Sequence, residues 1–244
     1  PYPGDGHRLT TFITGMLNTR AIGGVPVTYT DLTPIAVLFE ESIVVGVKAD
    51  SPIRDAADLV AHLKKDPSSL SIGVADAIGN HIHVAIARPL KAAGVDIQKL
   101  TIVPYKSSAE SMAALLGGHI DVISASTPNV ISQYGAGNIR LLAVSTDNRL
   151  DGALASVPTW KEQGVDASFT SVQGVMGAKG ITPEQVAFWE TALKRVADSA
   201  EWQAFLERQN WRPRFIGSAQ MPAYLEENYA SIKALLDELG LAKQ

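Results

Sequence analysis

Short β-like runs alternate with segments of helical period along this chain, and a capping residue or a glycine marks most of the switches. That alternation is the strongest constraint on the fold, because strands interleaved with helices build βαβ units and parallel sheets. Leu9–Thr14, Ile35–Phe39, Ile43–Val47, Leu70–Val74, Leu100–Val103, Ile120–Ser124, Arg140–Ser145 and Ser171–Gly177 read as strands. Asp55–Lys65 reads as a helix, with apolar residues at 56, 59, 60 and 63 on one face. Ser107-x-x-Glu110 is a capping box that opens a helix closed by Gly117-Gly118. Thr127-Pro128 starts a short helix that stops near Gly135 and Gly137, and Pro158–Gln163 holds one or two turns ended by Gly164.

After the last strand, helices dominate. Thr182-Pro183-Glu184-Gln185 is a second capping box, ahead of Val186, Trp189, Leu193 and Val196. Ser199 caps a short helix, and the final helix carries Met221, Leu225, Tyr229, Ile232, Leu236 and Leu239 on one face. The expected class is α/β, as one sheet or as two small lobes. Two lobes would place a ligand cleft between them.

Composition narrows the function. The formal net charge is −4 with no Lys/Arg cluster, which argues against nucleic acid or an anionic membrane as partner. There is no cysteine, which removes disulfides, thiolate metal sites and cysteine nucleophiles. No apolar run approaches the roughly 18 residues that span a bilayer. The chain opens on Pro1-Tyr2-Pro3 with no visible signal peptide, so either a mature form begins here or upstream sequence is missing.

The segment Ala75 to Ala85, ADAIGNHIHVA, holds two of the five histidines. It follows a strand and leads into a helix, so Gly79 allows close backbone approach and Asn80 serves as N-cap. Free N–H groups and the dipole at such a terminus favour a carboxylate or phosphate. On a helix, His81 and His83 diverge by about 200°, which argues against a shared metal. A catalytic role needs a partner side chain that sequence does not show, and G-x-S-x-G is absent. His83 reads as a packing residue, while His81 is either a polar ligand contact or simply exposed. Pro89 is expected to kink or shorten this helix, or to end it near Arg88. Ser107 and Ser108, Ser126, and Thr14-Gly15-Met16 also follow strands and place hydroxyls and N–H groups where ligands collect in α/β sheets.

Four stretches together resemble the TctC-like or Bug substrate-binding proteins of the tripartite tricarboxylate transporters. They are Tyr29-Thr30-Asp31-Leu32-Thr33-Pro34-Ile35-Ala36; Gly79 to Ala85; Val103-Pro104-Tyr105-Lys106 with Leu115-Leu116-Gly117-Gly118-His119-Ile120-Asp121-Val122; and Ala136 to Val144 with Val157 to Gly164. The resemblance runs from Asp5 to about Leu241. It implies a periplasmic binding protein-like fold with two lobes, each with a mainly parallel sheet. The lobes would be residues 1–46 plus 171–244 and residues 47–170, with Ile43–Val47 and Ser171–Gly177 as hinge crossings. It implies capture of a small organic carboxylate (di- or tricarboxylate, or aromatic) for membrane permease subunits, by a periplasmic monomer without chemistry, cofactor or metal. Thr14, Gly15 and Met16 would contact ligand from one lobe, and Gly79, Asn80, His81, Ser107, Ser108 and Ser126 from the other.

Three departures from the family pattern stand out. The family normally begins some 60 residues earlier. Asn80 replaces a usual Ser or Thr, and His81 a small residue or Pro. Val172 and Gln173 stand where tricarboxylate-type members often carry an aromatic and a basic residue. The rival readings are a ligand-sensing domain of a regulator, or an enzyme using His81 or His83.

Overall fold

The computed structural model describes residues 3–23 and 25–243. The chain divides into two units, Pro1–Glu41 with Ser171–Gln244, and Ser42–Thr170. Unit 1 begins with β1 (Leu9–Ile13), α1 (Gly15–Ile22) and β2 (Leu32–Glu41). Unit 2 contributes β3 (Ile43–Lys48), α2 (Ala56–Lys65), β4 (Ser71–Ala75), α3 (His81–Ala92), β5 (Thr101–Tyr105), α4 (Ser108–Leu116), β6 (Val122–Ser126), α5 (Ile131–Gly135) and β7 (Ile139–Val144). The chain then returns to unit 1 with β8 (Ser171–Ala178), α6 (Pro183–Ala197), α7 (Ala200–Gln209), β9 (Arg212–Gly217) and α8 (Met221–Glu238).

In unit 1 the strand order is β1-β8-β2-β9 and every pairing is antiparallel, which corrects the expectation of a mainly parallel sheet. The reason lies in the connections. β2 leaves the unit without a crossover helix, and β8 comes back between β1 and β2 running the opposite way. Gly174 permits that insertion. A Cβ there would overlap the Ala36 carbonyl oxygen and stand 2.8 Å from Val37 Cα. Phe39 stacks on Trp211 with centroids 4.6 Å apart and meets Trp202 edge-on at 5.7 Å, which ties β2 to the α7–β9 hairpin. The Thr182–Gln185 capping box of α6 is complete, with Gln185 N–H donating to Thr182 Oγ1 at 3.3 Å and Thr182 N–H to Gln185 Oε1 at 2.8 Å.

Unit 2 holds a five-stranded sheet in the order β5-β4-β6-β3-β7. β5, β4 and β6 are parallel, as the alternation predicts, whereas β3 is antiparallel to both β6 and β7. Its core includes Leu115, Ile123, Ala125 and Val144, all fully buried, and Trp160 is its largest buried side chain.

Two other expectations change, at α3 and at β9. α3 continues through Pro89 to Ala92 instead of ending near Arg88. Pro89 is buried in the packed face of α3, where contacts offset the missing N–H. The helix start read at Thr14-Gly15-Met16 is α1, although Thr14 makes no side-chain cap. β9 is a strand written Arg-Pro-Arg-Phe-Ile-Gly, and its proline is tolerated because it lies at the sheet edge.

Candidate functional site

In unit 2 the sequence-predicted residues come together along one edge. β4 and β5 are in register from Ser71↔Thr101 to Ala75↔Tyr105, and β6 lies beside β4 in parallel. The carboxyl ends of these three strands therefore run directly into Gly79-Asn80-His81, Ser107-Ser108 and Ser126, at the edge where open α/β sheets gather ligands. The β4–α3 loop is held in an uncommon conformation, with Asp76 at φ +62° and Gly79 at φ +89°. Asp76 N–H donates to Tyr105 O at 2.7 Å, so β5 braces this loop.

Several predicted contacts are already committed within the unit. Asn80 is the N-cap, its Oδ1 accepting the His83 N–H at 3.0 Å. Its Nδ2 donates to Ala75 O at 2.6 Å and its N–H to Ala77 O at 3.2 Å. Gly79 N–H donates to His83 Nδ1 at 2.9 Å. The Asn80 amide and the Gly79 N–H therefore serve the loop itself. In the first turn of α3, the Ile82 N–H has no hydrogen-bond partner among the described residues. The Ile82 carbonyl is held from β6 by the Ser124 hydroxyl at 3.0 Å.

At α4, Ser107 Oγ accepts the Glu110 N–H at 3.2 Å, but the capping box is only half formed. Glu110 Oε2 reaches past Ser107 to the Lys106 N–H at 3.1 Å. The N–H groups of Ser107, Ser108 and Ala109 are left without partners among the described residues. Ser126 is buried, and its Oγ accepts from Asn129 Nδ2 at 2.8 Å.

The histidines are poor candidates for chemistry. His83 is 2% exposed, and burial pulls its imidazole down to about 4. His81 is half-buried, and desolvation pulls it to about 4 against an opposing pull from the Asp76 carboxylate. Both are neutral near pH 7. Among the described residues, no three His, Asp or Glu side chains are arranged to hold a metal ion.

In unit 1, Thr14 lies at the end of β1 and is 2% exposed. Its Oγ1 accepts the Val172 N–H at 2.8 Å and donates to Val172 O at 3.3 Å, so the hydroxyl welds β1 to β8. Gly15 and Met16 follow with N–H groups that carry no hydrogen bond among the described residues. Sequence reasoning singled out Gln173 beside this terminus but missed its partner, Glu41. Gln173, which opposes Ile13 in register, donates from Nε2 to Glu41 Oε2 at 3.2 Å. Glu41 is the last residue before the chain enters unit 2, and it is buried. An acidic pair at the end of an apolar run, Glu40-Glu41, is the sequence signal that could have drawn attention to it.

A model of the tripartite tricarboxylate transporter family receptor, TctC, matches residues 10–241. The chain belongs to the TctC family. It is 32% identical over 213 residues to the UPF0065 protein in the gbd 5' region of Cupriavidus necator, across 87% of this chain and 63% of that one. The chain spans from about half to under two-thirds of the length of the curated relatives it matches. Among solved structures it resembles the R. palustris protein Rpa4515 with adipate, at 26% identity and a TM-score of 0.85, covering 99% of this chain and 80% of that one. It shares the fold of the periplasmic binding protein BugD at 22% identity and a TM-score of 0.84, covering 100% and 81%. The matched family is one of transporter receptors, so the reading of His81 or His83 as catalytic groups is set aside.

Proposed function

We propose that this chain captures a small organic dicarboxylate for a tripartite transporter. The observation that carries the reading is the edge of unit 2. There the amino ends of α3 and α4 and the Ser126 turn follow three adjacent parallel strands, and the N–H groups of Ile82, Ser107, Ser108 and Ala109 have no partner among the described residues. Backbone donors at a helix start suit a carboxylate without a fixed cation. Gly15 and Met16 supply the same kind of donor from unit 1. The R. palustris relative with adipate supports a dicarboxylate over a tricarboxylate, as does the presence of Val172 and Gln173 where a basic residue would favour more negative charge.

Closure would turn on the two passages between units, after Glu41 and before Ser171. These residues are paired in register on β2 and β8, so both passages lie side by side. A ligand that engages both units favours the closed state by its differential contacts.

The test is thermal unfolding of ligand-stripped protein against a panel of dicarboxylates, tricarboxylates and aromatic carboxylates. Ligand at a hundredfold excess over Kd stabilises by about 2.7 kcal/mol. Dicarboxylates are expected to give the largest rise in Tm. A panel with no rise for any member overturns the reading.

A further inference from the structure

The His83 ring is wired into the loop that precedes it. The Gly79 N–H donates to Nδ1 across four residues of chain, at 2.9 Å. A ring nitrogen that accepts from an N–H carries no proton, so the neutral imidazole holds its proton on Nε2. Nε2 is buried and has no hydrogen-bond partner among the described residues. The Gly79 bond alone therefore selects the tautomer. Burial of the ring favours the same neutral form.

Three hydrogen bonds then close on one another over residues 75–83. Gly79 N–H goes to the ring, His83 N–H goes to Asn80 Oδ1, and Asn80 Nδ2 goes to Ala75 O. The ring thereby occupies the Gly79 N–H, a donor of the loop that leads into α3. Gly79 at φ +89° has no strain-free substitute, and its N–H is held by this bond.

We propose that His83 is a positioning residue for the α3 terminus. Its Nδ1 withdraws the Gly79 N–H from ligand contact and holds the 76–80 loop, so that the first turn of α3 offers the Ile82 N–H instead. The effect on binding rests on the carboxylate reading above, whereas the clamp itself does not.

The two ring nitrogens can be separated by substitution. Asn places Oδ1 where Nδ1 stands, Gln reaches toward Nε2 but leaves Nδ1 without a substitute, and Leu supplies neither. In the full 244-residue chain, His83→Asn is expected to keep adipate affinity within about threefold, while His83→Gln and His83→Leu weaken it at least about tenfold. Long-range ¹H–¹⁵N spectra of the wild-type ring are expected to show Nδ1 as the unprotonated nitrogen. The Gly79 amide resonance is expected to move in His83→Gln and to return in His83→Asn. A proton on Nδ1, a Gly79 amide indifferent to His83→Gln, or a Gln variant that binds like wild type overturns the proposal. If wild type binds no carboxylate, the transport reading fails, and the tautomer and the Gly79 amide alone decide the clamp. If the Leu variant does not fold, the Asn and Gln variants carry the comparison.

Discussion

The Asn80 amide is committed at both ends, accepting from His83 N–H and donating to Ala75 O. Asn80→Ala removes the cap and strands a buried carbonyl, and is expected to cost about 1–2 kcal/mol in urea unfolding. Asn80→Asp keeps the cap but replaces the donor toward Ala75 O with a charge at the terminus. It is expected to weaken carboxylate binding about tenfold or more by calorimetry; unchanged affinity would remove the α3 terminus from the site. His83 makes a pH prediction. Its folded-state value is depressed from 6.5 to about 4 by desolvation. The folded state therefore binds fewer protons than the unfolded one between those values. The contribution is complete above pH 6.5 and is lost as pH falls through 4, amounting to on the order of 3 kcal/mol. Half-buried His81 shifts the same way, with Asp76 opposing. Urea midpoints measured from pH 7 to 4 are expected to fall more steeply for wild type than for His83→Asn. Parallel curves would show that His83 is not held neutral by the fold. The sequence made the α3 start legible through Gly79-Asn80, but not which donors were already committed. That depends on a ring reaching back four residues, a contact that the Gly79–His83 spacing permits but does not by itself specify.

At the scale of elements, unit 2 was largely legible because each parallel strand is a short apolar run with a capped helix behind it. The antiparallel sheet of unit 1 was not. Strand direction there is decided by β8 returning from residue 170, a long-range event with no local signature. β9 was hidden by Arg212, Pro213 and Arg214, which read as loop and are acceptable only at an edge. Arg214 pairs with Glu40 on β2, so the charges that disguised the strand also dock it. The insertion of β8 yields a sharp prediction at Gly174. The atoms that a new Cβ would meet belong to the β2 backbone, which cannot rotate away. Gly174→Ala is expected to cost about 3 kcal/mol or more, the upper end for overpacking. The loss would appear in circular dichroism melts as a selective weakening of unit 1, and a loss under about 1 kcal/mol would mean that β2 and β8 are not in this register.

For the whole molecule, the two units differ in how the chain builds them. Unit 1 needs two separated segments, because β8 is bracketed by β1 and β2 from the other end of the sequence. Unit 2 is one continuous run, Ser42–Thr170, with its whole sheet and its own core. Its closing segment is fastened internally, since Phe169 N–H donates to Ser145 O at 2.7 Å and Ser145 Oγ donates to Phe169 O at 2.7 Å. At roughly 130 residues, it lies within the usual size of a self-sufficient domain. A fragment comprising Ser42–Thr170 is therefore expected to fold alone, with a cooperative urea transition and dispersed amide resonances. The Gly79 and His83 signals should match those of the full chain, because the three hydrogen bonds that join Ala75, Gly79, Asn80 and His83 lie within the fragment. If Gly15 and Met16 serve the ligand as proposed, carboxylate affinity is expected to drop sharply in the fragment, which lacks them. A fragment that folds and binds as tightly as the full chain would confine the ligand to unit 2 and remove closure from the mechanism. A fragment that unfolds would show that the sheet of unit 2 depends on unit 1, against the continuity of its core.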